Sequence, residues 1–323
     1  MPYINFEFKN QFVVLREVTK NYGVLPALKK ISLEIGEGEI FGYIGPNGAG
    51  KTTTMKILTG LITDFQGEVY IGGFQVPNQK GEVHKLLGYL PQSVGFQEWR
   101  TVNHALKTFG KLSGLTETEV EKCIPEVLDL LGLSEVRYKK ISQLSGGMMQ
   151  KVGLGQAILH DPKLLILDEP LNGLDPLSRH QFKEVLLKLS KKGTTILFSS
   201  HILSDVQDVA DRIGIINHGQ IKQVGTLNEL KEHLTEQKTV EVLLSYATDK
   251  WQELQKIKHV KSVEQPSAGR ILVNLERDAD ADDAINDIVQ AVVKQKIRIR
   301  GLNLLSPTLD DIYQRYVQES ENI

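Results

Sequence analysis

A single cysteine, Cys123, stands in a chain of 323 residues, so no intramolecular disulfide can form and the composition suits a reducing compartment. Long apolar runs are missing too: none approaches the ~18 residues that a membrane-crossing helix needs. The opening stretch, Met1 to Lys9, has no apolar core and carries an acid, which argues against a secretory signal. Charge of one sign is also lacking. The formal net charge is −2, acids and bases are interspersed, and no basic footprint marks nucleic acid as a partner. Together these absences predict a soluble, cytoplasmic protein. Its length exceeds what one small core sustains and predicts two domains of unequal size.

What is present centres on Gly45-Pro46-Asn47-Gly48-Ala49-Gly50-Lys51-Thr52, which fits G-x-x-x-x-G-K-[ST] at every fixed place. The apolar run Ile40 to Ile44 before it reads as a buried strand, and Thr53 to Thr59 after it reads as a helix stopped by Gly60. That context gives the pattern its chemistry. Glycines let successive backbone N–H groups point at one phosphate chain, and the helix start adds a favourable dipole. Lys51 then reaches the β- and γ-phosphates, and the Thr52 hydroxyl helps hold Mg²⁺.

Other polar residues follow buried-strand patterns. Leu86 to Gln92 reads as a strand ending at Pro91, and Gln92 at its exit either ligates Mg²⁺, orients water or is simply solvated. Leu164 to Leu167 runs into Asp168 and Glu169. Asp168 suits a metal-site carboxylate, and Glu169 suits a base that polarises an attacking water. Thr194 to Ser200 is a strand that delivers His201, which is either structural or a donor to a γ-phosphate. Ser145, Gly146 and Gly147 open a helix and offer an anion their N–H groups, although such a triplet is also a common loop. Tyr22, at a bend between two strand-like runs, either stacks on a base or only turns the chain.

Alternating strands and helices predict an α/β fold with a mostly parallel sheet covered on both faces. From about Thr101 to Leu159 the chain turns helical, with no strand pattern interrupting the block. In it, Val120, Ile124, Val127, Leu128 and Leu131 form one apolar stripe from Glu117 to Leu131. Asn172 to Pro176 reads as a turn, with a helix from His180 to Lys192 and a further strand at Ile213 to Ile216. Beyond Glu236 the pattern becomes a small α+β domain. Strand alternation runs through Val240 to Leu244, Ile271 to Leu275 and Ile297 with Ile299, a helix spans Asp280 to Lys294, and a closing helix opens at Ser306-Pro307.

In order and spacing these motifs resemble the ATP-binding subunit of an ATP-binding cassette (ABC) transporter, over Phe12 to about Leu234. The resemblance implies a P-loop NTPase, ABC-type nucleotide-binding domain at 1–235 with a helical subdomain at about 95–160, plus the C-terminal α+β domain at 236–323. It implies a Mg-dependent ATPase. ATP is bound by Tyr22, Gly45 to Thr53, Gln92, Ser145, Gly146, Gly147 and Asp175, and Mg²⁺ by Thr52, Gln92 and Asp168. Lys51, Glu169 and His201 carry the chemistry. Ser145 and Gly147 would serve ATP held by a second subunit, identical or homologous, in a head-to-tail dimer, and Asp175 would couple the two sites. Met148 stands where Gln is commonest in the family, and Leu171 where Thr is usual. Met148 and the closing segment Ser306 to Val317 are similar to the exporter branch that works with a six-helix, ABC-2-type permease on the cytoplasmic face of the membrane. The competing reading is a soluble ABC ATPase acting on ribosomes or DNA. Such relatives carry two cassettes or a long coiled-coil insertion, and this chain has one cassette and no sustained heptads.

Overall fold

The computed structural model describes residues 11–232, 238–246, 249–276 and 279–305. Two compact units emerge, the first reaching Leu227 and the second beginning at Asn228. The domain boundary expected after residue 235 falls in 233–237, outside the described residues.

In the first unit, β1 (Gln11–Tyr22) and β2 (Leu25–Gly36) form a long hairpin, extended by β4 (Gln66–Ile71) and β5 (Phe74–Val76) into an antiparallel sheet of order β2-β1-β4-β5. A second sheet contains β3 (Ile40–Ile44), β6 (Leu87–Leu90), β7 (Leu164–Leu167), β8 (Thr195–Ser200), β9 (Arg212–Asn217) and β10 (Gln220–Gly225). Its order is β10-β9-β3-β8-β7-β6, parallel except for the antiparallel β10 edge. All residues of β3, β7 and β8 are buried. Continuous apolar runs such as Ile-Phe-Gly-Tyr-Ile and Leu-Leu-Ile-Leu are what a parallel strand covered on both faces requires.

Register decides where the polar ends fall. Ile44 pairs with Ser200 across β3 and β8, and Leu167 pairs with Phe198 across β7 and β8. The C-terminal ends of these three neighbours therefore release their next residues at one edge of the sheet.

Helices α1 (Lys51–Leu58), α2 (Lys80–Leu86), α3 (Val102–Leu112), α4 (Glu117–Leu130), α5 (Gly146–Ile158), α6 (Pro176–Lys191) and α7 (Leu203–Gln207) complete the unit, and a short α8 (Leu227–Glu232) starts at its end. Helices α3, α4 and α5 make the helical subdomain. The α4 stripe Val120, Ile124, Val127 and Leu128 is buried, and Thr116 and Glu119 close a reciprocal capping box at its start.

Three sequence expectations shift. Leu86 ends a helix rather than opening a strand; α2 buries only Val83 and so carries no visible stripe. Helix α6 starts at Pro176, because Asp175 caps it and the proline fits its first turn. Helix α1 begins at Lys51, two residues before the expected start.

In the second unit, β11 (Thr239–Leu244), β12 (Val260–Ser267), β13 (Arg270–Leu275) and β14 (Ile299–Leu305) form an antiparallel sheet of order β12-β13-β11-β14. Helix α9 (Ala281–Lys294), capped by Asp280, crosses between β13 and β14. With the 3₁₀ stretch Asp249–Lys256 between β11 and β12, this is the split β-α-β arrangement. Val240, Val242, Ile271, Val273, Ile288 and Val292 fill its core. Ile297 is buried just before β14 rather than within it. The closing helix expected from Ser306 lies outside the described residues.

Candidate active site

The loop between β3 and α1 bends through left-handed backbone, with φ of +80° at Gly48 and +114° at Gly50. A Cβ on Gly50 would lie 2.7 Å from Leu28 Cδ2 and 2.9 Å from the Ala27 carbonyl oxygen, so β2 can pack against the loop only where no side chain intervenes. Pro46 through Thr53 line a cavity of about 330 Å³, together with Gln92, Glu169 and Ala27. That is the volume class of a small-molecule site.

Lys51 is buried beneath the loop. Its amine donates to the Gly45 carbonyl at 2.7 Å and the Pro46 carbonyl at 3.2 Å, and pairs with Glu169 Oε1 at 3.1 Å. The other carboxylate oxygen, Oε2, lies 2.7 Å from His201 Nδ1. Glu169 thus sits between the Lys51 amine and the His201 imidazole, at 7 % exposure. Its backbone is left-handed, φ +50°, a conformation non-glycine residues adopt at a cost of ~1–2 kcal/mol. The Glu169 N–H donates to Ser199 Oγ at 2.8 Å, and that hydroxyl donates to Asp168 Oδ1 at 2.9 Å. Asp168 itself is 1 % exposed, and its N–H donates to the Leu90 carbonyl at 2.9 Å. Burial, and secondarily the Asp168 charge, pushes the nearby Tyr89 phenol up to about 12.

Thr52 and Gln92 line the same cavity and offer a hydroxyl and an amide oxygen, whereas the buried Asp168 carboxylate, which accepts from Ser199, does not line it. Among the described residues no group of three or more His, Cys, Asp or Glu could hold a metal. The Thr52 hydroxyl and the Gln92 amide oxygen are donors of the kind a hard cation such as Mg²⁺ takes, with the rest of its oxygens from water and phosphate.

The remaining expected residues lie elsewhere. Gly45 is represented by its carbonyl under Lys51, and His201 reaches the cavity through Glu169. Tyr22 ends β1, is 51 % exposed, and carries the Lys20 amine 4.9 Å from its ring centre. Neither Tyr22 nor Ser145, Gly146, Gly147 and Asp175 lines the loop cavity. Instead the starts of α5 and α6 meet: Ser145 caps α5, Asp175 caps α6, and a Cβ on Gly147 would lie 3.0 Å from Ser178 Oγ. Met148 donates its N–H to Ser145 and leaves its side chain partly exposed, whereas Leu171 is buried. Two residues were not singled out from sequence. Ala27 reaches the cavity from the hairpin, and Ser199 bridges Asp168 and Glu169; a serine closing an apolar strand was its only signal.

The ABC transporter family profile matches residues 28–172, and that of the ATP-binding protein DrrA1-3-like C-terminal domain matches residues 225–317. An ABC transporter ATP-binding protein of Synechocystis sp. is 34 % identical over 91 % of this chain and 79 % of its own length. The linearmycin resistance ATP-binding protein LnrL of Bacillus subtilis is 30 % identical over 92 % of this chain and 95 % of its own. Among solved structures, a dimeric post-hydrolysis ATP-binding cassette bound to ADP and Pi superposes with a TM-score of 0.61. It is 27 % identical and covers 67 % of this chain and 98 % of that one. Among the described residues no helix is long and apolar enough to cross a membrane. With a phosphate loop, an acid pair and a histidine at one sheet edge, the chain belongs to the ATP-binding subunits of ABC transporters, ATPases that dimerise and work with a membrane permease.

Proposed function

We propose that this subunit powers export through a separate six-helix, ABC-2-type permease, from a peripheral position on the cytoplasmic face of the membrane. The observation that supports this is the alignment with LnrL along nearly the whole of both chains, the DrrA1-3-like C-terminal domain included. Two cassettes, from this chain or from it and a homologue, close head to tail on ATP.

The residues act as follows. N–H groups from Asn47 to Thr52 and the start of α1 receive the phosphates. Lys51 exchanges its bond with Glu169 for phosphate oxygens, which leaves the carboxylate free for water. Glu169 then orients that water and takes its proton, while His201 turns its ring toward the γ-phosphate. Thr52, Gln92 and Asp168 would hold Mg²⁺, which would supply neutralisation of phosphate charge. Tyr22 stacks on the adenine. The α5 start at Ser145 to Gly147 faces the nucleotide of the opposite subunit, and Asp175 couples the two sites.

The test is a mild-detergent pull-down of the tagged chain from its own cells, with partners identified by mass spectrometry. A six-helix membrane protein in matching amount is the expected result. Ribosomal or DNA-repair proteins without a membrane protein would overturn the proposal.

A further inference from the structure

We propose that Ser199 is the positioning residue of the hydrolytic carboxylate. It acts through one buried hydroxyl that ties the Glu169 backbone to Asp168. The proposal rests on reading Glu169 as the group that activates water.

Ser199 is 0 % exposed and is the next-to-last residue of β8, after the apolar Ile196-Leu197-Phe198. Packing alone would be met at that place by any small apolar side chain, and a buried hydroxyl must find partners. Both of its hydrogen-bonding functions are spent on consecutive residues of the neighbouring chain segment. The hydrogen goes to Asp168 Oδ1 at 2.9 Å, and a lone pair receives the Glu169 N–H at 2.8 Å. The polarity of this relay is fixed. The Glu169 N–H can only donate, so the Ser199 oxygen accepts there and the hydroxyl hydrogen is directed to Asp168 Oδ1.

The amide it receives belongs to a residue in strained backbone, φ +50°. Such a conformation persists where neighbours over-determine it, and it clusters where geometry serves chemistry. The strain turns the Glu169 side chain back beneath the phosphate loop, to Lys51 and His201. Without the hydroxyl, a buried N–H loses its acceptor and the left-handed turn loses a restraint. The carboxylate then relaxes away from the position where it must meet water. Ser199 does not line the nucleotide cavity, so nucleotide affinity has no reason to change.

The experiment compares Ser199→Thr with Ser199→Val, which match in shape and differ in the hydroxyl, and adds Ser199→Ala, which introduces no bulk. Steady-state ATP hydrolysis and equilibrium binding of a fluorescent ATP analogue are measured on the full chain. Expected for Ser199→Val is a kcat lowered about 10- to 100-fold with nucleotide Kd within about two-fold, since a small misplacement of a catalytic group has that scale of effect. Ser199→Thr restores turnover to within a few-fold. Should added bulk disable both, Ser199→Ala decides: lowered kcat with retained affinity supports the role, and wild-type turnover ends it. Equal turnover in Thr and Val variants that both stay active also overturns it, as does a kcat loss matched by lost affinity. If Glu169→Gln retains turnover, the reading of the site falls and takes this role with it. If Glu169→Gln is inactive while all three Ser199 variants are normal, only the role of Ser199 falls.

Discussion

Gly50→Ala is predicted to destabilise the first unit far more than Gly48→Ala, although both lie in one loop with positive φ. At Gly48 a Cβ would meet nothing within 4 Å, so only the backbone term remains. For an L residue in left-handed space that term is ~1–2 kcal/mol. At Gly50 the same term applies, and the Cβ also falls 2.7 Å from Leu28 Cδ2 and 2.9 Å from the Ala27 carbonyl oxygen. The leucine tip can rotate, but the carbonyl belongs to β2, which is paired along β1 and cannot retreat alone. Overpacking of this kind costs ~1–3 kcal/mol. Gly50→Ala should therefore cost about 2–5 kcal/mol in all, and exceed Gly48→Ala by about 1–3 kcal/mol. Urea unfolding read by Trp99 fluorescence in a Trp251→Phe background confines the signal to the first unit, since the chain has 2 tryptophans. Equal losses in the two variants would refute the argument, because they would mean that β2 does not hold the loop.

Lys51→Ala should weaken ATP binding by at least ~30-fold, since on the proposed reading its buried amine gives the phosphates a charge-assisted bond of about 2 kcal/mol or more; fluorescence titration would show it. His160 supplies a pH signature. Burial, partly offset by a hydrogen bond to the Leu87 carbonyl and by Asp161, holds its imidazole below the ordinary 6.5. The folded chain keeps it neutral, so between 6.5 and the lower folded value the unfolded chain takes up a proton that the folded chain does not. Stability from this group is therefore complete above about pH 6.5 and lost as pH falls below it. Urea midpoints of the wild type and His160→Gln should keep a constant separation above pH 7 and change it below pH 6.5. Parallel curves throughout would contradict the assignment.

The phosphate loop was legible because backbone curvature and close approach leave few residue choices, and glycines record both in the sequence. Strands β3 and β7 were legible as apolar runs and β8 by its Ile196-Leu197-Phe198 core, and their polar exits therefore located the acid pair and His201. Helix α2 was hidden because a single buried valine leaves no period. Strand β12 mixes half-buried and exposed residues without a regular period and with no buried set, so its pattern gave no signal. Asp175 read as part of a turn, since a cap and a turn use the same residue type for the same local hydrogen bond. Ala27 contributes through backbone position on a hairpin whose pairing is long-range, and the serine of β8 gains its role only from the register that sets it beside β7. Neither can be seen one segment at a time.

In the proposed mechanism Glu169 activates water once Lys51 leaves it for the phosphates. ATP turnover and ATP binding by Glu169→Gln test this most directly. Turnover should fall at least ~100-fold, the scale of losing a general base, with ATP held as tightly as in the wild type or more so. Turnover within a few-fold of the wild type would contradict it.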